Sequence, residues 1–469
     1  MSGAGLAERA GRLLDDAAQV FRGHERAETW LRRHRERLVE PLRLAVAGPP
    51  GSGKSTLVNA LIGEDVAPVV VEGAGGAPVW FQDGPRPVAH VFPPDAPAWT
   101  APMRRAKEAG HAVDWALGGV SRVVVDWPCR ALRHTRLLDA AGVEGDTEVP
   151  ADALLYVTRH LGDDLTPLQE SQSGRGAGAF PVHVMVVLSR ADETAGGRPD
   201  AILGARQIAR RRRREPRVAA LCQDVLALSG QLALAGRGLR EEEYASVAAV
   251  AALPKADADA RLLSTDRFTA AGFGVDVPVQ RREALLRRFG IGGLRLAVTL
   301  VRSGARSRAE LGAQLMRQSG LTELQASISD LFTARRDALK ARTALIALDH
   351  LLRAESRPQA AHLVAELDRL VAGAHEFREL RLLAALRTGR VTLPAELAVE
   401  ARRLAGGEGT AHAERLGLPA ESPPEQLWPV AEDAAGRWHQ QTRAATTAGG
   451  RRAAEVVLRS CTAILDDLG

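Results

Sequence analysis

Residues 42–62 read Leu-Arg-Leu-Ala-Val-Ala-Gly-Pro-Pro-Gly-Ser-Gly-Lys-Ser-Thr-Leu-Val-Asn-Ala-Leu-Ile. The apolar run Leu42 to Ala47 has the character of a buried strand. A glycine-rich turn follows, and Leu57, Val58, Ala60, Leu61 and Ile62 then continue as a helix. Inside the turn lies Gly48-x-x-x-x-Gly53-Lys54-Ser55, the P-loop spacing in its strand–turn–helix setting. Glycines let main-chain N–H groups curl around phosphate oxygens, and the helix that follows points its positive end at them. Gly48, Gly51, Ser52 and Gly53 are the candidate cradle, with Thr56 in the first helical turn. Lys54 is placed to reach the β- and γ-phosphates, and the Ser55 hydroxyl to ligate Mg²⁺.

Further along, Arg122–Trp127 and Thr135–Asp139 read as strands and are expected to pair as an antiparallel hairpin. The second ends in Asp139-Ala-Ala-Gly142. An Asp-x-x-Gly after a strand, some 80 residues beyond a P-loop, is read as the element whose Asp holds Mg²⁺ through water and whose Gly senses the γ-phosphate. Val79–Phe81 and Val88–Phe92 resemble short strands, and residues 93–120 read as irregular. Ala153–Thr158 and Val182–Leu188 are the next buried strands. The latter runs into Ser189-Arg190-Ala191-Asp192, where guanine-specific enzymes carry Asn/Thr-Lys-x-Asp. There Asp192 would accept from the base and the Arg190 stem would pack on it; a plain helix N-cap is the competing role for Asp192. Val225–Leu228 is the last core strand, and Ser229 and Gly230 fall where a base-contacting loop usually lies.

The chain has 469 residues, room for two or three domains. Apolar content of 45% and charged content of 25% fit a globular protein. The net charge of +5, spread over this length, identifies no polyanionic partner, and no nucleic acid is expected. Arg210 to Arg214 are read chiefly as a solvated helix end, with phosphate or nucleic-acid binding as the sharper alternative. Cys129, Cys222 and Cys461 lack metal-ligand spacing and suggest a reducing compartment. With no signal core and no run near the roughly 18 apolar residues of a membrane span, a cytoplasmic protein is expected.

Residues 4–40 read as one long amphipathic helix ended by Pro41. A lone helix cannot bury its stripe, so it should pack on the helical C-terminal part. From 236 onward buried-strand runs largely disappear. Expected here are a helix over 241–252, a linker through 262–278, a helical hairpin over 281–304 and a helix of about 30 residues from Leu321. Another follows over 358–388, then a short one from Pro394, and a final long helix over 425–467, weak at Gly449-Gly450.

In this order the pieces resemble bacterial dynamin-like GTPases, most of all the actinobacterial branch with the isoniazid-inducible and sporulation-septum proteins. The residues that carry the resemblance are Gly53 to Gly63, Val66 to Pro68, Val123 to Trp127, Asp139 to Gly142 and Leu188 to Glu193. The resemblance implies an α/β P-loop GTPase domain on a mixed, mostly parallel sheet, joined to an extended all-α helical bundle. The divisions are 1–41 (neck helix), 42–235 (GTPase domain) and 236–469 (bundle or stalk). It also implies GTP or GDP with Mg²⁺ held by Ser55 and Asp139, base contacts from Ser189, Arg190, Asp192, Ser229 and Gly230, and oligomerisation with itself or a paired dynamin-like protein. Peripheral contact with anionic membrane, in division, septation or envelope maintenance, is implied too. The lipid-facing tip would fall near 354–360 or 385–410, with Arg387 and Arg390 available to headgroups.

Three departures matter. Pro50 and Gly51 stand where dynamin-type loops carry polar residues that position the attacking water. Residues 65–78 hold no Thr or Ser for switch I, and the usual Asp-Thr-Pro-Gly is Asp-Ala-Ala-Gly. Each such loss costs a rate factor of roughly 10² or more where the group stabilises the transition state. The expectation is a guanine-nucleotide binder with slow hydrolysis; a nucleotide-blind scaffold subunit is the alternative. An ATP-dependent protein is disfavoured by Ser189 to Asp192.

Overall fold

The fold comes from a computed structural model that describes residues 5–71, 77–94, 97–105, 111–113, 119–140, 151–173, 181–272, 274–355 and 357–469. Twelve strands occur among them: β1 (Leu42–Ala47), β2 (Val69–Val71), β3 (Val79–Asp83), β4 (Val88–Phe92), β5 (Trp99–Ala101), β6 (Met103–Arg105), β7 (His111–Val113), β8 (Arg122–Trp127), β9 (Thr135–Asp139), β10 (Ala153–Thr158), β11 (Val184–Leu188) and β12 (Asp224–Ala227). Nine make one sheet, in the order β12-β11-β10-β1-β9-β3-β8-β4-β5, and β2, β7 and β6 make a small second one. From β12 to β9 every neighbour is parallel. Within this part β10 and β11 are nearly continuous apolar runs, as expected where both faces of a parallel sheet are covered. Parallel strands also deliver their C-terminal ends to one edge. Val46 lies opposite both Leu155 and Asp139, so the turn after β1 and the carboxylate closing β9 emerge side by side.

The hairpin expected between Arg122–Trp127 and Thr135–Asp139 does not form. β3 lies between them, antiparallel to β9 and parallel to β8. Its Trp80 and Phe81 are buried there, which a direct β8–β9 pair would not achieve. Residues 93–120, expected to be irregular, contain β5, β6 and β7.

The expected N-terminal helix is two: α1 (Leu6–Val20) and α2 (Glu25–Arg37). The break is local chemistry. Gly23 takes φ 87°, and His24 Nδ1 accepts the Ala27 N–H as an N-cap. Phe21 turns inward at the break, with the Arg357 guanidinium 4.8 Å above its ring. Both helices pack against the Arg336–Ala354 helix, so the stripe finds its cover in the C-terminal half.

Other long helices are also divided. The run from Leu321 breaks at a π-turn, Ser329–Thr333, that sinks Leu331 and Phe332 into the core. The 358–388 run is Ala361–Gly373 and His375–Thr388. The last is a pair, Pro424–Ala444 and Ala448–Leu468, packed on each other; the break comes before Gly449 because Thr447 caps the second member through the Gly450 N–H. Pairing buries two apolar stripes that one extended rod would leave in water. The 281–304 stretch falls within Val279–Arg302 as two helical segments joined by a kink at Gly290, where the expected turn was placed. The 262–278 linker carries a short helix, Thr265–Thr269.

Two large apolar cores result among the described residues, beside a small cluster of Ala45, Trp80 and Leu138. One joins α1, α2, the strands around β1 and the helices from Leu321 onward. The other joins β10, β11 and β12 to residues 239–315. Because that second core belongs to the sheet, we propose that the border expected at 235 lies nearer Gly320.

Candidate functional site

The turn after β1 opens into α3 (Lys54–Ile62), with Gly53 as its N-cap. Gly48 cannot be anything else: its φ is 146°, and an added Cβ would stand 2.0 Å from the Val157 carbonyl oxygen of β10. Lys54 Nζ donates to the Gly48 and Pro49 carbonyls, both at 3.0 Å. Burial holds its pKa below the ordinary lysine value, with the charge of Asp139 opposing. Ser55 Oγ donates to Asp139 Oδ2 at 2.8 Å, across 84 residues of sequence. Burial raises the Asp139 pKa; the Ser55 bond and Lys54 oppose the rise. A hydroxyl beside a carboxylate, in the first turn of α3 where helix N–H groups lack intrahelical partners, is the hard-oxygen donor set that suits Mg²⁺ with phosphates. The residues present therefore fit such a group.

The second loop joins the first. Arg190, in a left-handed conformation at φ 49°, donates from Nη2 to the Gly51 carbonyl at 3.2 Å and pairs with Glu193 at 3.0 Å. Gly230 stands beside Thr56; a Cβ there would lie 3.1 Å from Thr56 Cγ2. Thus Gly48, Gly51, Ser52, Gly53, Lys54, Ser55, Thr56, Asp139, Arg190 and Gly230 cluster at one sheet edge.

Three expected contributors face elsewhere. Ser189 Oγ donates to the Thr158 carbonyl at 3.0 Å, and Ser229 Oγ caps the Gly230–Arg237 helix by accepting from Leu232 N. Asp192 is only 5% exposed. Its carboxyl takes a hydrogen bond from Ser229 and lies under the kink of the Val279–Arg302 helix. A Cβ at Gly290 would sit 3.8 Å from Asp192 Oδ2, and one at Gly292 2.3 Å from the Asp192 carbonyl oxygen. Burial raises the Asp192 pKa. Gly142 and residues 72–76 of the switch I stretch lie outside the described residues.

Sequence reasoning missed Asn59. Its amide donates to Asp65 and the Ala67 carbonyl and accepts from Val66 N and Ala67 N, tying the start of the 65–78 stretch to α3. The available signal was a lone amide among the buried apolar residues of that helix. Arg387 and Arg390, considered for lipid contact, are engaged inside the fold. Arg387 pairs with Asp224 and Asp330, and Arg390 bonds the Gln223 and Ala219 carbonyls.

A glycine-rich turn of P-loop spacing after a central parallel strand, a mixed sheet and a helical arm rooted at both chain ends define a dynamin-like P-loop GTPase fold. No protein-family model matches the chain. Its sequence is 32% identical over 442 residues to the isoniazid-induced protein IniC of Mycobacterium tuberculosis, in strains CDC 1551 / Oshkosh and ATCC 25618 / H37Rv, covering 88% of this chain and 89% of the relative. The chain belongs to this isoniazid-induced family of actinobacterial dynamin-like proteins. Two solved structures of an oligomerised bacterial dynamin pair align over 98% of this chain and 90% of theirs, with 11% and 10% identity and TM-scores of 0.33 and 0.34, too loose a superposition to argue from. Among the described residues no helix is long and apolar enough to cross a membrane.

Proposed function

We propose that this chain binds guanine nucleotide with Mg²⁺ at the Gly48–Thr56 turn, hydrolyses it slowly, and works with itself or a paired dynamin-like partner at the cytoplasmic membrane. The observation that carries the reading is the meeting of Ser55 and Asp139 beside the Lys54 ammonium. When bound, Mg²⁺ would neutralise phosphate charge. Ser55 and Asp139 would hold it, Lys54 would exchange its loop carbonyls for phosphate oxygens, and the loop N–H groups would orient the phosphate chain. Slow turnover follows from Pro50 and Gly51 at the water-positioning point and from the absence of Thr and Ser in 65–78. Calorimetry with GTP, GDP and ATP on the wild type and Lys54→Ala tests it: guanine nucleotides should bind and the variant should lose most of the affinity. No binding by the wild type would end the reading, and turnover at the rate of active dynamins would end the slow-hydrolysis part.

A second reading has its own support. Asp192, the residue that would recognise guanine, is covered by the helix around Gly290. That favours a scaffold subunit that holds phosphates without reading the base. Equal affinities for GTP and ATP would select this reading.

A further inference from the structure

The helix Ala201–Arg212 carries Arg206 and Arg210, with Arg213 at its C-cap. The spacing of four and three residues puts all three on one helical face. That face looks onto the edge strand β12, and Arg387 of the His375–Thr388 helix approaches the same place. Together they line a cleft of about 170 Å³, room for on the order of ten waters. Four guanidiniums line it against two carboxylates, Asp224 and Glu323.

Both acids are in ion pairs, although Asp224 Oδ2 is buried with no hydrogen-bond partner, and Arg387 also pairs with Asp330 at 2.9 Å outside the cleft. Asp224, with its side chain fully buried, pairs with Arg213 at 3.3 Å and Arg387 at 3.4 Å. Glu323 pairs with Arg206 at 3.5 Å. Arg210 has no hydrogen bond or ion pair among the described residues, and it stands exposed at the mouth. The Nε atoms of Arg206 and Arg213 are buried without a hydrogen-bond partner. Neighbouring Arg212 is different, since Glu215 neutralises it at 2.9 Å outside the cleft. Part of this charge complements the carbonyl end of the helix. That role needs no cavity and leaves the two buried nitrogens unexplained. Planar guanidinium forks converging on a half-open cleft are an arrangement that recognises tetrahedral oxyanions.

We propose that this cleft binds a phosphoryl group, at a place separate from the Gly48–Thr56 turn. The bound anion joins the sheet edge to the helical arm, because its guanidiniums come from both. The phosphoryl group reaches the cleft on a small soluble molecule or on a lipid headgroup, and the test distinguishes the two.

The full chain carrying Lys54→Ala, which weakens the phosphate turn, is titrated with pyrophosphate by calorimetry at constant ionic strength. Saturable binding is expected, weakened at least tenfold by Arg210→Glu and substantially restored by Arg210→Lys. The same proteins are sedimented with phosphatidylcholine vesicles with and without phosphatidic acid. Arg210-dependent binding of pyrophosphate assigns a soluble ligand; Arg210-dependent pelleting with phosphatidic acid alone assigns a lipid-borne one. Binding in neither arm, or binding that Arg210→Glu leaves unchanged, or a response that chloride reproduces, overturns the proposal. Arg210→Gln provides a neutral second variant, and an unchanged thermal melt shows that each variant is folded.

Discussion

Lys340 Nζ donates to the carbonyl of Leu38 at 2.7 Å and to that of Glu40 at 3.2 Å, joining positions 302 residues apart in the first case. Leu38 is the C-cap of α2, and two residues after Glu40 the chain enters β1. A cation is thus buried against free carbonyls at a helix C-terminus, where both the dipole and the hydrogen bonds favour it. The bond ties the Arg336–Ala354 helix to the segment that enters β1, the strand that ends at the Gly48 turn.

Lys340→Met keeps the stem and deletes the donor. It should cost about 1–3 kcal/mol, the penalty of leaving buried carbonyls unpaired. Denaturant unfolding reads this, and a midpoint equal to wild type would show that water replaces the ammonium.

Next to that joint, Arg37 pairs with Asp152 at 3.1 Å, and Asp152 also accepts the Arg43 N–H at 2.9 Å. Both side chains are almost fully buried. Burial pulls the Arg37 pKa down to about 10 and raises that of Asp152. Removing either partner strands a buried charge, so Arg37→Met or Asp152→Ala should each cost about 3–5 kcal/mol. The double variant should cost clearly less than the sum of the two, measured as a double-mutant cycle. Simple additivity would mean that the two charges do not interact.

Acid should weaken the helical arm through His375. Burial lowers its pKa from 6.5 to about 4, with Glu379 opposing and Arg459, Arg415 and Arg378 reinforcing. The unfolded chain then binds a proton that the folded chain refuses. Stability from this group is complete above pH 6.5 and is lost as pH falls from about 6.5 to about 4. Other groups titrate in the same range, so the measurement is a difference. The stability gap between wild type and His375→Gln should shrink from pH 7 toward pH 4, and a constant gap would contradict it.

Gly290 sits at φ 68° and ψ 167°, a region open almost only to glycine. Gly290→Ala should therefore destabilise by about 1–3 kcal/mol. Gly436 is an exposed interior position of the Pro424–Ala444 helix with free space around it. There the same change should stabilise by about 0.5–1 kcal/mol. Thermal melts of the two variants check the pair, and equal shifts would place no special demand on Gly290.

The strand–turn–helix around Gly48 to Ser55 was legible in the sequence because its signals are local. Glycines at fixed offsets, a lysine and a hydroxyl lie within nine residues, and the flanking strand and helix announce themselves by their apolar runs. Ser55 and Asp139 were singled out from the two motifs and the resemblance they carry. That they meet at 2.8 Å follows from β1 and β9 being parallel neighbours, which the sequence reading, expecting an antiparallel hairpin, did not foresee. The break at Gly23 rests on local signals, a glycine at φ 87° and the His24 N-cap, that the apolar stripe through residues 4–40 overrode in the reading. The π-turn at Ser329–Thr333 was not legible, because it is set by what Leu331 and Phe332 bury rather than by helix propensity.

What the sequence alone determined is the phosphate turn, the strand ends that frame it and the α/β-plus-helical plan, all encoded by short-range spacing and periodicity. Tertiary structure decided the rest. It placed β3 between β8 and β9 because Trp80 and Phe81 needed cover there. It laid the Gly290 kink over Asp192 and gathered arginines from two distant helices around Asp224. Those outcomes depend on which apolar surfaces and buried charges find partners far apart in the chain, as Asp224 does with Arg387, and no local pattern records such a match.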